Sequence, residues 1–265
     1  MKIDYCYHSH TKRCGHASGE DEEFVLSAIK MGIKRLGISD HVIFSDPKYN
    51  QPGVRGNSDL LEDYLKSCYY LKDKYKDQIE IKVGFEAEYC PIFEDYYRDL
   101  LNSGKIDFLI LGQHCYYKDS GRWWWQFNSQ DPDGGIDKGV ELMIQGVKTG
   151  LFSYVAHPDI YFFVVKEMTP HVEELTRNLL KACEEYKVPI EINGQGARRK
   201  PDLETFGSYP CGAFWDIARE YDVKIIIGID AHKPSDYDEV ELDRIEDFIK
   251  LHKLKVDYDY HIEKK

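Results

Sequence analysis

IDYCYHSH, residues 3–10, decides how the chain is read. Ile3 to Tyr7 has the aromatic content and the length of a strand, and it runs straight into His8-Ser9-His10. Side chains alternate along a strand, so His8 and His10 point to one side and both imidazoles reach the same ion. A single His-x-His arises easily by chance. Its weight depends on whether other strands end the same way.

Working outward, short apolar runs alternate with longer amphipathic stretches, the pattern of repeated βα units on a parallel sheet. Strands are predicted at Ile3–Tyr7, Arg35–Ser39, Ile79–Phe85, Ile106–Gly112, Phe152–Ala156, Pro189–Ile192 and Lys224–Ile229. Helices are predicted at Glu22–Met31, Asp59–Tyr75 with Ser58 as N-cap, Phe93–Leu101, Lys138–Lys148, Thr169–Tyr186 and Glu239–Leu251. A long aromatic loop carries Trp123, Trp124 and Trp125, and no Gly-, Ser- or Pro-rich linker divides the pattern. One domain spanning residues 1–265 is therefore expected.

The strand ends repeat the opening motif. Asp40 and His41 follow the second strand, Glu86 the third, His114 the fourth, His157 the fifth, and Asp230-Ala231-His232 the seventh. Only the sixth departs, with Asn193. In an α/β barrel all strand C-termini open on one face, so residues scattered over the chain converge there. Imidazoles with carboxylates suit divalent Zn, Fe, Mn or Co, and a carboxylate such as Glu86 bridges two ions. His171, His252 and His261 lie on or after helices, away from strand ends, and are expected at the surface.

Composition narrows the classes. The 265 residues are 42% hydrophobic and 31% charged, which excludes disordered and fibrous chains. Lys and Arg number 35 against 47 Asp and Glu, a net charge of −12 that argues against nucleic acid. A small anionic substrate stays open, because a bound cation inverts the local field in one pocket of an acidic protein, and the overall charge does not decide it. No run of 18 apolar residues occurs, so no membrane association is expected, and the seven cysteines form no Cys-x-x-Cys pair. A cytoplasmic protein is the expectation; the oligomeric state is open.

HSHTKRCGH (8–16), SDH (39–41), GFEAEY (84–89), His114, AHPD (156–159) and GIDAH (228–232), in that order, resemble the metal-dependent phosphoesterases of the polymerase and histidinol phosphatase (PHP) family. The resemblance implies a distorted (β/α)7 TIM-like barrel with up to three divalent ions, Zn, Mn or Fe, at the C-terminal face of its strands. It implies one site of His8, His10, Glu86 and Asp230, a second sharing Glu86 with His114 and His157, and a third of His16, His41 and His232.

Within the family, the length and the segment EINGQGAR (191–198) are similar to stand-alone histidinol-phosphate phosphatases of histidine biosynthesis. That implies hydrolysis of L-histidinol phosphate to L-histidinol and phosphate, by hydroxide held between two ions that share Glu86. The alternative is another small phosphate ester, a nucleotide or a sugar phosphate. Arg198 is the expected phosphate clamp because its fork of donors fits phosphate oxygens, with Arg199 and Lys200 as competitors. Asp40 or His232 is expected to protonate the leaving alkoxide, Asp40 alternatively orienting a ligand. Glu88 is read either as a contact for a substrate ammonium or as a packed strand residue. After AHPD the first cation is Lys166, later than the phosphatase pattern places one.

Overall fold

The computed structural model describes residues 1–126, 132–199, 203 and 206–263. Four parallel strands form a curled sheet in the order β1 (Tyr5–Cys6), β2 (Arg35–Ile38), β3 (Glu80–Ala87) and β4 (Phe108–Leu111). An antiparallel hairpin follows, β5 (Cys115–Lys118) with β6 (Arg122–Trp125), and later β7 (Ile190–Asn193) pairs in parallel with β8 (Ile225–Gly228). Single parallel bridges link these sheets: Val155 pairs with both Leu111 and Ile190, and Ser9 pairs with Ala231. The backbone bonds Leu111 N–H to Tyr154 O (3.0 Å), Glu191 N–H to Val155 O (3.0 Å) and His10 N–H to Ala231 O (2.9 Å) support these joins.

Helices alternate with the strands: α1 (Asp21–Met31), α2 (Leu61–Lys74), α3 (Glu94–Asn102), α4 (Pro132–Thr149), α5 (Pro170–Glu185), α6 (Gly194–Arg199), α7 (Gly212–Ala218) and α8 (Glu239–Leu251). Their starts follow local chemistry. Glu20 and Glu23 form a reciprocal cap on α1, Thr169 caps α5 with Pro170 at its first position, and Asp238 caps α8. Among the described residues, no helix is long and apolar enough to cross a membrane.

Alternation along the strands divides the core. Cys6, Leu36, Ile38, Leu109, Leu111, Ile190 and Ile227 pack with the apolar helix faces. Tyr5, Tyr7, Phe108, Ile110, Tyr154, Ile226 and Tyr260 form a second cluster on the opposite face of the strands. Near the C-terminal ends of β4 and β8 this second face is bared to glycine. A Cβ on Gly112 would overlap the Glu86 carboxylate, and one on Gly228 would overlap that of Glu191.

Several elements differ from the sequence reading. Phe152–Ala156 contributes bridging residues rather than a full strand. The long aromatic loop contains the β5–β6 hairpin, turned at Gly121 (φ 78°). Ser58 begins a 3-10 turn, Ser58–Leu60, that precedes α2 instead of capping it. His252 is buried, with Nδ1 3.1 Å from Asp216 Oδ1, because the turn after α8 folds it onto Phe248.

Candidate metal centre

All nine predicted ligand residues lie together, eight of them at the predicted strand ends and His16 after the 3-10 turn Lys12–Cys14. His8 Nε2 lies 3.5 Å from both Glu86 Oε1 and Asp230 Oδ1, and His10 Nε2 lies 3.1 Å from Asp230 Oδ1 and 3.5 Å from Glu86 Oε2. His41 Nδ1 is 3.2 Å from Glu86 Oε2, His114 Nε2 is 3.5 Å from Glu86 Oε1, and His157 Nε2 is 2.8 Å from the same oxygen. Glu86, 1% exposed, therefore faces five imidazoles. The His16 ring lies 5.2 Å from that of His41 and 4.9 Å from that of His232, which in turn stacks on His10 at 4.1 Å.

Donor atoms approach one another closely enough for one ion in four overlapping trios of these residues: His8/His10/Asp230, His8/Glu86/His157, His41/Glu86/His114 and His10/His41/His232. The last trio includes His10, beside His41 and His232 of the expected third site. A fifth trio, His10/Cys14/Asp40, adds a buried thiol that burial pushes above its ordinary pKa. His157 (φ 32°) and Asp230 (φ 52°) hold left-handed backbone, which non-glycine residues seldom adopt and which gathers at functional sites.

Electrostatics follow from packing charges of both signs away from water. Burial would depress His8 and His10, yet the surrounding carboxylates raise His8 well above the ordinary value and His10 to about 9. His16 falls to about 4, through burial and the neighbouring His10 and His232. Burial also takes His41 well below the usual range, against the pull of Glu86. Glu86 and Asp230 resist the upward push of burial and stay far below ordinary carboxylates, held there by the imidazoles.

A divalent cation fits this donor set. His8 Nε2, both ring nitrogens of His10, His41 Nδ1 and Asp230 Oδ1 are buried without a hydrogen-bond partner, a costly condition that a cation relieves.

Behind the donors stands a ring of orienting groups. His8 Nδ1 donates to Glu191 at 3.0 Å, His114 Nδ1 donates to Glu88 Oε1 at 3.2 Å, and Gln195 Nε2 meets His232 Nδ1 at 2.6 Å. Asn193, the residue that broke the strand-end series, donates Nδ2 to Glu191 Oε1 (2.8 Å) and Asp230 Oδ2 (3.0 Å). Asp40 accepts from the His41 N–H at 2.8 Å and from the Thr11 hydroxyl, with Oδ1 3.5 Å from His10 Nδ1.

Sequence reasoning missed Glu191 and Arg55. An acidic residue between Ile190 and Ile192 in a buried strand was a signal for the first; the loop position of Arg55 gave none. Asp159, in AHPD, accepts from the Cys211 N–H (2.8 Å) and the Trp215 indole (3.0 Å), and burial pushes it up to about 7.

A cavity of about 320 Å³ opens over the centre, lined by His10, His16, His41, Glu86, His114, Asp230 and His232 and walled by Val54, Trp125, Ile160, Phe163 and Tyr209. Arg199 lines it. Arg198 turns away: its Nη2 donates to the carbonyls of Ile229 (3.0 Å) and Asp230 (2.9 Å), which corrects the expectation of a clamp there. Of the two readings of Glu88 the packed one is observed and the contact for a substrate ammonium is corrected, since it is fully buried between Arg55 and His114 and does not line the cavity. Lys200 lies outside the described residues. Cys115, next to His114, is buried with Sγ 3.5 Å from Glu88 Oε1. His171 and His261 are exposed and remote from the centre, paired with Asp137 and Asp259.

The profile of the PHP domain matches residues 7–195. A probable histidinol-phosphatase of Deinococcus radiodurans is 23% identical over 236 residues, 86% of each chain. The histidinol-phosphatase of Bacillus subtilis is 23% identical over 254 residues, covering 86% of this chain and 93% of that one. In structure, the histidinol phosphate phosphatase of Lactococcus lactis, solved with zinc, L-histidinol and phosphate, superposes with a TM-score of 0.72 at 18% identity, over 97% of this chain and 96% of that one. At this identity the superposition shows a shared fold.

Proposed function

The chain belongs to the PHP domain family, and on that premise we propose that it is a metal-dependent phosphomonoesterase hydrolysing L-histidinol phosphate to L-histidinol and phosphate in histidine biosynthesis. One observation carries this reading: nine ligand-type side chains, several with buried, unpartnered donor atoms, converge beneath a cavity bordered by an arginine. Relatives named histidinol-phosphatase, and a like-folded protein holding zinc, L-histidinol and phosphate, favour this ester over others.

The architecture is read as one (β/α)7 barrel domain, distorted where Val155 stands in for a full strand, a reading favoured by the bridges at Val155 and Ser9. His8, His10, Glu86 and Asp230 would hold one ion, Glu86, His114 and His157 a second, and His16, His41 and His232 a third. Zinc, manganese or iron there would supply Lewis acidity, lowering the pKa of water and neutralising charge that develops on the phosphoryl oxygens.

The chain's own groups do the rest. Glu86, fixed among imidazoles above Gly112, sets the spacing of the donors. Arg199 presents its fork to the phosphate from the cavity wall. Trp125, Phe163 and Tyr209 enclose the organic part of the ester and limit water around it. Of the groups considered for the leaving alkoxide, His232 faces the cavity, whereas Asp40 stands behind His10 and orients it. The acidic surface favours a small substrate over nucleic acid, and the cysteine pattern suits the cytoplasm.

The test is phosphate release from L-histidinol phosphate beside sugar phosphates and nucleotides, with metal content measured on the same sample. A strong preference for L-histidinol phosphate is expected. Preference for another ester with metal bound would keep the phosphoesterase chemistry and overturn the substrate. Silence on every ester at full metal occupancy would overturn the enzyme reading.

A further inference from the structure

Arg55 lies in the segment whose Gly53 and Val54 line the cavity, yet its own side chain is only 1% exposed. Its Nη2 donates to Glu88 Oε2 at 3.0 Å, and its guanidinium carbon sits 4.4 Å over the ring of Trp123 and 5.6 Å over that of Phe44. The other oxygen of Glu88 accepts from His114 Nδ1 at 3.2 Å, and His114 Nε2 faces Glu86 Oε1 at 3.5 Å. Taking two ions out of water is a poor way to gain stability, and two apolar side chains of similar volume would pack there as well. The pair therefore needs a reason beyond packing.

We propose that Arg55 is a positioning residue for the metal centre: by holding one oxygen of Glu88 it leaves the other aimed at His114 Nδ1, which fixes the ring with a bare Nε2 toward Glu86. The inference rests on the metal-centre reading above. A flat guanidinium suits the task because it stacks on Trp123 while its edge reaches Glu88, which a lysine ammonium cannot do. The stack also ties the β5–β6 hairpin, and with it Trp125 on the cavity wall, to the group that orients the ligand.

The experiment is zinc titration against a chromogenic chelator, with melting of the metal-free protein alongside, for the parent, Glu88→Gln, Arg55→Lys and the double variant Arg55→Met/Glu88→Gln. Glu88→Gln and the double variant are expected to weaken zinc at the affected site by about 10–100-fold, the range for groups that orient a ligand. Arg55→Lys should fall between them and the parent. The double variant leaves no unpaired buried ion, so its metal-free melting temperature should stay near the parent's even if a single variant folds poorly. A double variant that binds zinc as tightly as the parent would reduce the pair to packing and overturn the proposal. A parent that binds no zinc would bring down the metal-centre reading and this inference together. Normal zinc binding without phosphate release from any ester would remove the proposed activity alone.

Discussion

Tyr5, Tyr7 and Tyr154 are buried as deeply as His8, His10 and Glu86, and both groups belong to the strands or their immediate continuations. In the aromatic cluster polarity is settled internally. The Tyr5 hydroxyl donates to Asp257 O at 2.6 Å, that of Tyr7 to Tyr260 O at 3.4 Å, and that of Tyr260 to Ser153 O at 3.1 Å. At the strand ends, ring nitrogens of His8, His10 and His41 and an oxygen of Asp230 are equally buried and have no such partner. Burial alone thus does not mark the site; the gathering of several buried, unpartnered ring nitrogens and a carboxylate oxygen within reach of one another does.

The contrast breaks most sharply at Glu86. Glu86→Gln should lower turnover by about 10²–10³-fold, the scale for losing one charge-stabilising group, and lower the metal content of the purified protein. Its far-UV circular dichroism should stay that of the parent. Unchanged metal and turnover would take Glu86 out of the centre.

The aromatic half should respond in the opposite sense. Phe108→Ala should lower stability by about 3–5 kcal/mol, read by denaturant unfolding, while turnover per folded molecule holds. Loss of metal stoichiometry in that variant would show that the two halves are not separable.

The smallest effect is the pH response of the metal-free protein. His10, raised to about 9 by its carboxylate neighbours against burial, contributes stability that is complete below pH 6.5 and lost as pH rises through about 9. His16, lowered to about 4, contributes stability present above pH 6.5 and lost as pH falls through about 4. Melting temperature after chelation should therefore fall as pH rises from 6.5 through about 9, while on the acid side Asp159, raised to about 7, gains stability as pH falls and opposes His16. A melting temperature that climbs between neutral pH and about 9 would contradict the sign for His10.

Eight of the nine candidate ligands were legible because they sit where a strand stops, a local event in sequence, whereas His16 follows the 3-10 turn Lys12–Cys14 and was named by the resemblance alone. Glu86 and Glu88 show the limit. Both project from the same stretch two positions apart, and only the structure separates the one among five imidazoles from the one clasped by Arg55. Glu191, Asn193 and Gln195 act on partners 37 to 183 positions away, and no periodicity encodes such a pairing. The β5–β6 hairpin was missed because its aromatic run reads equally as packed loop and as strand. Arg198 and Arg199 are adjacent, and the end of α6 decides which of them reaches the cavity.

Gly112 and Gly228 leave bare backbone where the Glu86 and Glu191 carboxylates need room. This restricts how the chain can evolve toward heat tolerance. Exchanging strand glycines for β-branched residues is an ordinary route to a stiffer sheet, and at these two positions it would evict a functional carboxylate. Lineages that gain thermal tolerance while keeping turnover should change instead at exposed helical positions such as Leu26, Tyr70 and Val240, leaving both glycines untouched.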